Sequence, residues 1–472
     1  MNPETQNISL TEKVGYSLGD TASNLIFQTI FFFITYFYTD VFGIPPATLA
    51  TMFLITRIWD AVNDPIMGAI ADRTNTRWGK FRPYLLWVAI PFGLVGVAVF
   101  TTPDLSLTGK IIYAYVTYIL LDFVYTAINV PYSALMGVMT SNARVRTILS
   151  QFRFAAAFLG GLIIQYSVLR LVRVLGKGNE ALGWQLTMAV LSALAIVMFF
   201  ITFATTKERV NPPREQKTFL KEDLRDLFSN KPWLLIAVAT VFQLTYITIR
   251  NGSIIYYFKY FVGDQQLMLF GNTYMFSCDN MTSTFLISGT LATILGIVLT
   301  GWFSKVFGKR TCYVEFLGVT GIFTAVFYFF NPVNIIPMFI TQLFASFTFG
   351  PVSVLQWAMY TDTADYSEWK NHRRATALLM AASLFALKLG VALGGALLAG
   401  LLAFYGYNPG VEQTAEGLLG VKLVMSVYPA IPAIIGAAVM LFYPLTNKMM
   451  EDIEKDLNER RRKSGEQEPD RV

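Results

Sequence analysis

Phe53-Leu54-Ile55-Thr56-Arg57-Ile58-Trp59-Asp60-Ala61-Val62-Asn63-Asp64-Pro65-Ile66-Met67-Gly68 sets two carboxylates and a carboxamide inside an apolar run. The i, i+3, i+4 spacing of Asp60, Asn63 and Asp64 places all three on one helical face. A carboxylate at bilayer depth is costly without a partner, so an acidic pair there reads as functional. Two carboxylates and an amide converging from one face supply hard oxygen ligands. Such a set suits a small cation, Na⁺ or H⁺. The pattern implies a cation-driven membrane transporter.

The rest of the chain supports a membrane setting. Of 472 residues, 54% are hydrophobic and only 14% are charged, against about 25% charged in soluble domains. The mean hydropathy is +0.48. Apolar runs of the length needed to span a bilayer recur throughout. They predict twelve spans, at 14–39, 46–71, 83–102, 109–138, 148–172, 183–205, 232–261, 281–304, 311–330, 335–360, 375–405 and 418–445. The polar run from Gly271 to Ser283 blurs the start of the eighth.

The net charge of +6 is distributed by loop and is no nucleic-acid signal. Basic residues fall in alternate connections: Arg73 to Arg82, Arg144 and Arg146, Lys207 to Lys231, Lys305 to Arg310, and Lys370 to Arg374. The intervening connections are nearly bare, apart from one with Arg170, Arg173 and Lys177. The positive-inside rule then predicts cytoplasmic N- and C-termini, which an even number of spans requires. The polar start, Met1 to Thr11, has no apolar core of a signal peptide. Two cysteines, Cys278 and Cys312, lie on different segments and read as packing residues, with no disulfide framework.

The chain divides near its centre. A charged, proline-containing stretch at 207–231 separates a six-span half (1–206) from a second (232–446), and a charged, helix-prone tail follows at 447–472. The central stretch includes an amphipathic piece at 220–228, and the tail reads as disordered from Ser464. A weak repeat relates the halves. Gly68-Ala-Ile-Ala-Asp72-Arg73 with Arg77-Trp-Gly79-Lys80 ends the second span, and Gly301-Trp-Phe-Ser-Lys305 with Gly308-Lys309-Arg310 ends the eighth. Two parallel six-helix halves are the arrangement expected of major facilitator transporters, with the substrate held between them near the midplane. The predicted fold class is an all-α membrane protein of twelve transmembrane helices in two halves.

Polar residues also form stripes within the spans. Asp20, Asn24 and Gln28 lie at i, i+4, i+8 on the first span. Asp122, Thr126, Asn129 and Ser133 lie at i, i+4, i+7, i+11 on the fourth. Lipid cannot satisfy such groups, so the stripes should face protein or a shared aqueous cavity. Arg153, Arg250 and Lys388 are cations within spans. Arg57 and Arg153 each have a structural reading as partners of a carboxylate such as Asp60. Lys388 has no acid near it in sequence and reads as a ligand or coupling residue. Gly390, Gly394 and Gly395 beside it read as sites of close helix packing. Among the aromatics, Trp357, next to Gln356 in the tenth span, is the candidate for stacking against a sugar ring. The single histidine, His372, sits in a basic loop, which leaves no histidine proton relay in the membrane.

Five motifs carry a family resemblance. Tyr38-Thr-Asp-Val-Phe-Gly43, Arg57 to Gly68, Arg77-Trp-Gly-Lys-Phe-Arg-Pro83, Asn129-Val-Pro-Tyr132 and Asp365-Tyr-Ser-Glu-Trp-Lys370 occur in this order. Together they resemble the glycoside–pentoside–hexuronide:cation symporters, from Glu12 to Met450. The resemblance implies a sodium site at Asp60, Asn63, Asp64 and Thr126. It also implies sugar or coupling roles for Arg153 and Lys388, with Asp20, Asn24, Asn129, Ser133, Arg250, Gln356 and Trp357 as further substrate-site candidates. Compared with melibiose permease-like members, two sugar-binding aspartates fall here on Asn24 and Asn129, and two sugar-site tryptophans fall on Ser133 and Ser353. Losing two negative charges while keeping Arg153 and Lys388 makes the pocket more electropositive. An anionic sugar such as a uronide is then an expectation, although neutral-pentoside relatives share the Asn pattern.

The expectation is therefore Na⁺- or H⁺-coupled symport of a pentoside, hexoside or hexuronide across a bacterial inner membrane by alternating access. It includes no other cofactor, no nucleic acid and no obligate protein partner, in a monomer. A lipid or lysolipid transporter is one alternative, and would need an apolar cleft opening to the bilayer. A non-transporting sugar sensor is another, and would need a signalling domain larger than the tail. No nucleophile–base pair or nucleotide motif suggests an enzyme.

Overall fold

Apolar periodicity broken by caps and prolines produces long helices joined by short turns. The computed structural model describes residues 8–140, 143–209, 227–269, 272–371 and 376–463. The first helix, α1 (Leu10–Tyr36), starts where the Ser9 hydroxyl accepts the Glu12 N–H at 3.2 Å, and it ends in a π-helical turn, Phe37–Val41. Pro46 opens α2 (Pro46–Arg73), at a position where its missing N–H costs nothing. Two shorter helices follow, α3 (Arg82–Trp87) and α4 (Ala89–Val99), broken at Val88. Then come α5 (Leu107–Met139), capped by Ser106, α6 (Ala143–Gly176), and α7 (Glu180–Thr205), capped by Asn179.

The second half begins with α8 (Lys231–Tyr256) and its π-helical turn Tyr257–Val262. An antiparallel hairpin follows, β1 (Gln265–Leu269) and β2 (Asn272–Phe276), with Gln265 opposite Phe276. Helices α9 (Cys278–Phe307), α10 (Lys309–Val326), α11 (Ile335–Asn371) and α12 (Thr376–Phe404) come next. They are followed by α13 (Ala415–Met425), α14 (Val427–Met440) and the tail helix α15 (Asn447–Lys463).

Among the described residues, nine helical stretches are long and apolar enough to cross a membrane. They coincide with the fourth to twelfth of the predicted spans. The first three predicted spans are also helical, but α1 carries the Asp20–Asn24–Gln28 stripe and the third is interrupted at Val88. The hairpin corrects the all-helical expectation. Its polar–apolar mixture and adjacent Gly271 suit a short two-stranded ribbon better than an extension of α9. Residues 220–226 of the amphipathic piece at 220–228, the tail from Ser464, and His372 lie outside the described residues.

The chain forms two compact units. The first comprises 1–215, 251–287 and 395–421. Within it α1 packs against α6 and α7, α4 against α5 and α7, and α2 against α5. The second comprises 216–250, 288–394 and 422–472. There α10 packs against α11 and α14, and α15 lies on α11. Its core joins Trp233, Tyr246, Tyr313, Tyr360 and Tyr443. Each buried polar tip of three of these finds a partner: Trp233 Nε1 donates to Ser383, Tyr313 to Gln243, and Tyr360 to Thr240. Such pairing removes the desolvation penalty of a buried donor.

The expected close packing at the α12 glycines is present. A Cβ on Gly390 would lie 2.6 Å from the Val241 carbonyl oxygen, and one on Gly394 would lie 2.6 Å from Thr248 Cβ. The sequence repeat also has a backbone counterpart. Gly79 and Gly308 both adopt positive φ, at 112° and 84°, where a side chain is disfavoured.

Candidate functional site

The richest polar surface lies where α1, α5 and α6 meet. Asp20 faces Arg153 from α6, whose Nε donates to Oδ2 at 2.5 Å and whose Nη2 donates to Oδ1 at 3.2 Å. The Tyr132 hydroxyl from α5 donates to the same carboxylate at 2.8 Å. Tyr16 and Tyr132 exchange hydroxyl-to-carbonyl hydrogen bonds, at 3.2 and 2.7 Å. The Arg153 guanidinium stacks on both rings, at 4.8 Å from Tyr132 and 5.7 Å from Tyr16. Gly19 makes room for Tyr132, because a Cβ there would lie 2.5 Å from its ring.

A turn further along α1 the surface becomes uncharged. Asn24 Nδ2 donates to the Asp20 carbonyl at 2.8 Å, and Gln28 Nε2 donates to Asn24 Oδ1 at 3.2 Å. Ser23 donates to Asn129 Oδ1 at 2.8 Å, linking α1 to α5. Asn129 Nδ2 returns to the Tyr125 carbonyl at 3.0 Å. Gly160 and Gly161 of α6 lie against Asn24 and Gln28. The first and fourth spans are thus joined beside the predicted stripes, by Ser23 to Asn129 and by Tyr132 to Asp20. Ser133, on the α5 stripe, is exposed.

The acidic face of α2 holds Asp60, Asn63 and Asp64 at the expected spacing. Asn63 is 3% exposed, and its side-chain nitrogen has no hydrogen-bond partner among the described residues. The side chains of Arg57, Asp60 and Asp64 lie outside the described residues. Thr126 is buried on α5, the helix that α2 packs against.

The second unit holds the other candidates. Arg250 is 2% exposed; it donates to Gln342 Oε1 at 2.9 Å and to the Met425 sulfur, and its guanidinium sits 4.2 Å from the Phe327 ring centre. Gln356 is 2% exposed, and its Nε2 has no hydrogen-bond partner among the described residues. Its neighbour Trp357 is 40% exposed and meets Tyr360 edge-on at 6.2 Å. Lys388 is half-buried on α12.

Two further clusters lie at the ends of α1 and were not singled out from the sequence. Near its start, Glu12 receives Arg209 in a two-pronged pair at 2.7 and 2.8 Å. The neighbouring Glu208 carboxylate accepts the backbone N–H groups of Lys80, Phe81 and Arg82, at 2.8, 2.8 and 2.9 Å. Past its end, Asp40 accepts hydroxyls from Thr39 at 2.7 Å, from Tyr407 and from Tyr260. Burial raises the Asp40 carboxyl above its ordinary value, against the opposing pull of these hydroxyls and the Lys259 charge. Beside it the Tyr36 hydroxyl donates to Glu180 at 2.7 Å and accepts from Lys259, and Arg173 pairs with Asp279. The Tyr38-Thr-Asp40 motif was the available signal for Asp40. Glu208 and Tyr407 had none.

Known proteins resemble the chain over most of its length. The family described as MFS/sugar transport protein matches residues 15–447. The inner membrane symporter YicJ of Escherichia coli (strain K12) is 36% identical, with 98% of each chain covered. The isoprimeverose transporter of Lactiplantibacillus pentosus is 34% identical, over 94% of this chain and 91% of its own. The crystal structure of nucleoside transporter NupG shares the fold with a TM-score of 0.63 at 13% identity, covering 92% of this chain and all of that one.

Proposed function

We propose, since the chain belongs to the MFS/sugar transport protein family, that it is a secondary active transporter coupling a sugar or glycoside to a cation, Na⁺ in the first place. The family and its relatives establish a multi-pass sugar transporter and not an enzyme. Cation coupling rests on the α2 face. Asn63 is 3% exposed, and its carboxamide oxygen is a hard ligand of the kind a small cation takes. It lies three residues after Asp60 and next to Asp64 on α2, the helix that packs against Thr126-bearing α5. A cation held by Asp60, Asn63, Asp64 and Thr126 would offset the desolvation of the acids.

The sugar would lie against the α1–α5–α6 surface, with Asn24, Asn129 and Arg153 among its neighbours. Asp20 would stand behind Arg153. Gln356, Trp357, Lys388 and Arg250, in the second unit, are proposed as further substrate residues, with Trp357 offering an aromatic face. Transport would proceed by alternating access of two six-helix halves. The Asp40 cluster would then secure the extracytoplasmic end when it is closed, and the Glu12 and Glu208 clusters would secure the cytoplasmic end. Both termini would be cytoplasmic, in a monomer.

Uptake of a labelled glycoside into proteoliposomes tests the coupling. Accumulation should follow an imposed inward Na⁺ gradient. Accumulation driven by a pH gradient alone would assign the coupling to H⁺. Equal accumulation with no ion gradient would reject symport.

A further inference from the structure

We propose that Asp20 sets the charge of the cargo: by holding Arg153 in a closed ion pair, it makes the α1–α5–α6 surface selective for an uncharged glycoside over a uronide. This rests on the sugar-transport reading and names the substrate class for that site.

The geometry carries the argument. Arg153 presents its Nε–Nη2 edge to both oxygens of Asp20, the two-pronged arrangement in which a guanidinium binds a carboxylate most strongly. The Tyr132 hydroxyl supplies a third hydrogen bond to Asp20. Tyr132 is itself held by Tyr16, and both rings flank the guanidinium. Arg153 is thus fixed in position with its charge already matched. Further along α1 and α5 the polar side chains are neutral and paired, Ser23 with Asn129 and Gln28 with Asn24. The other ionisable group on the α5 stripe, Asp122, is acidic. Among the described residues of this surface an incoming carboxylate meets no cation other than Arg153, which Asp20 already neutralises. It would have to share that guanidinium with Asp20 or displace it, and either way sit beside a second negative charge, which is unfavourable.

A neutral sugar faces no such competition. Its hydroxyls can donate to the second lone pairs of the Asn24 and Asn129 side-chain carbonyls and accept from Arg153 N–H groups not aimed at Asp20. The inference reverses the anionic expectation drawn from the sequence. Of the two sequence readings of Arg153, the geometry favours pairing with a carboxylate, but the acid is Asp20, 133 residues away on α1, and not Asp60.

The test uses purified full-length protein at fixed sodium and two matched probes, 4-nitrophenyl β-xyloside and 4-nitrophenyl β-glucuronide, which differ by one carboxylate at C5. Wild type should bind the xyloside about tenfold more tightly or better, a difference of about 1.4 kcal/mol. Asp20→Asn leaves Arg153 uncompensated and should shift the ratio towards the glucuronide by about tenfold. The double variant Asp20→Asn/Arg153→Gln is neutral again and should recover the xyloside preference, whatever its absolute affinity. It also decides the matter if the single variant does not fold. Equal or tighter glucuronide binding by wild type overturns the proposal. So does an unmoved ratio in a folded Asp20→Asn protein, or a double variant that fails to recover the preference. If wild type binds neutral and acidic glycosides of every kind equally poorly, the sugar-transport reading itself falls.

Discussion

Tyr407 donates its hydroxyl to both carboxylate oxygens of Asp40, at 2.7 and 2.9 Å, joining residues 367 positions apart. With Tyr260 and Thr39 the acid has hydroxyl partners from the ends of α1, α8 and α12. Three helix ends of the first unit therefore depend on one carboxyl group.

That group gives a pH dependence with a definite sign. Burial raises the Asp40 carboxyl above its ordinary value while Tyr260, Tyr407 and Lys259 face it. The closed arrangement holds the proton more tightly than an open, solvated one. Its contribution to closure is complete below the ordinary carboxylate range and is lost as pH rises through the raised value. Labelling of an extracytoplasmic cysteine near Gly410 should slow on acidification, and Asp40→Asn should remove the pH dependence. A wild-type rate that does not change with pH would contradict this.

Substituting Asp60 or Asp64 with Asn should abolish uphill accumulation while sparing exchange of sugar across the membrane. The cation would lose one of the two carboxylate charges that hold it. Accumulation at the wild-type level in either variant would dissociate these acids from coupling.

Glu208→Ala should lower thermal stability in detergent. It removes the acceptor for three backbone N–H groups, each worth about 0.5–1.5 kcal/mol net, and more where the acceptor is charged. Glu208→Gln should be milder, because one oxygen remains to accept. Melting temperatures of the three proteins decide.

Gly390→Leu should impair folding more than the same change at Gly68. A Cβ at Gly390 meets the Val241 carbonyl at 2.6 Å, whereas one at Gly68 meets nothing within 4 Å among the described residues. Yield of monodisperse protein measures the difference.

A cysteine at Asn75, exposed after α2, should resist impermeant reagents applied outside intact cells, if the basic loops are cytoplasmic. Gly79 is a poor labelling site. Its φ is 112°, and a Cβ there would lie 2.5 Å from the Glu208 carboxyl carbon.

Much of this protein is legible along the chain because hydropathy and helical period are local properties. They located nine spans that the helices reproduce, the helix that carries Asp60, Asn63 and Asp64, and the small residues at which α12 approaches α8. The hairpin at 265–276 escaped because a short amphipathic ribbon resembles the ragged end of a span. What only the tertiary structure decided is which charge meets which. Asp20 finds Arg153 across 133 residues, and Asp40 finds Tyr407 across 367. A buried ion pair or hydrogen bond forms between whichever groups the packing of helices brings within about 3 Å, and separation along the chain carries no record of that. The sequence therefore determined that Arg153 is a cation within the membrane, and the fold decided that its charge is already taken.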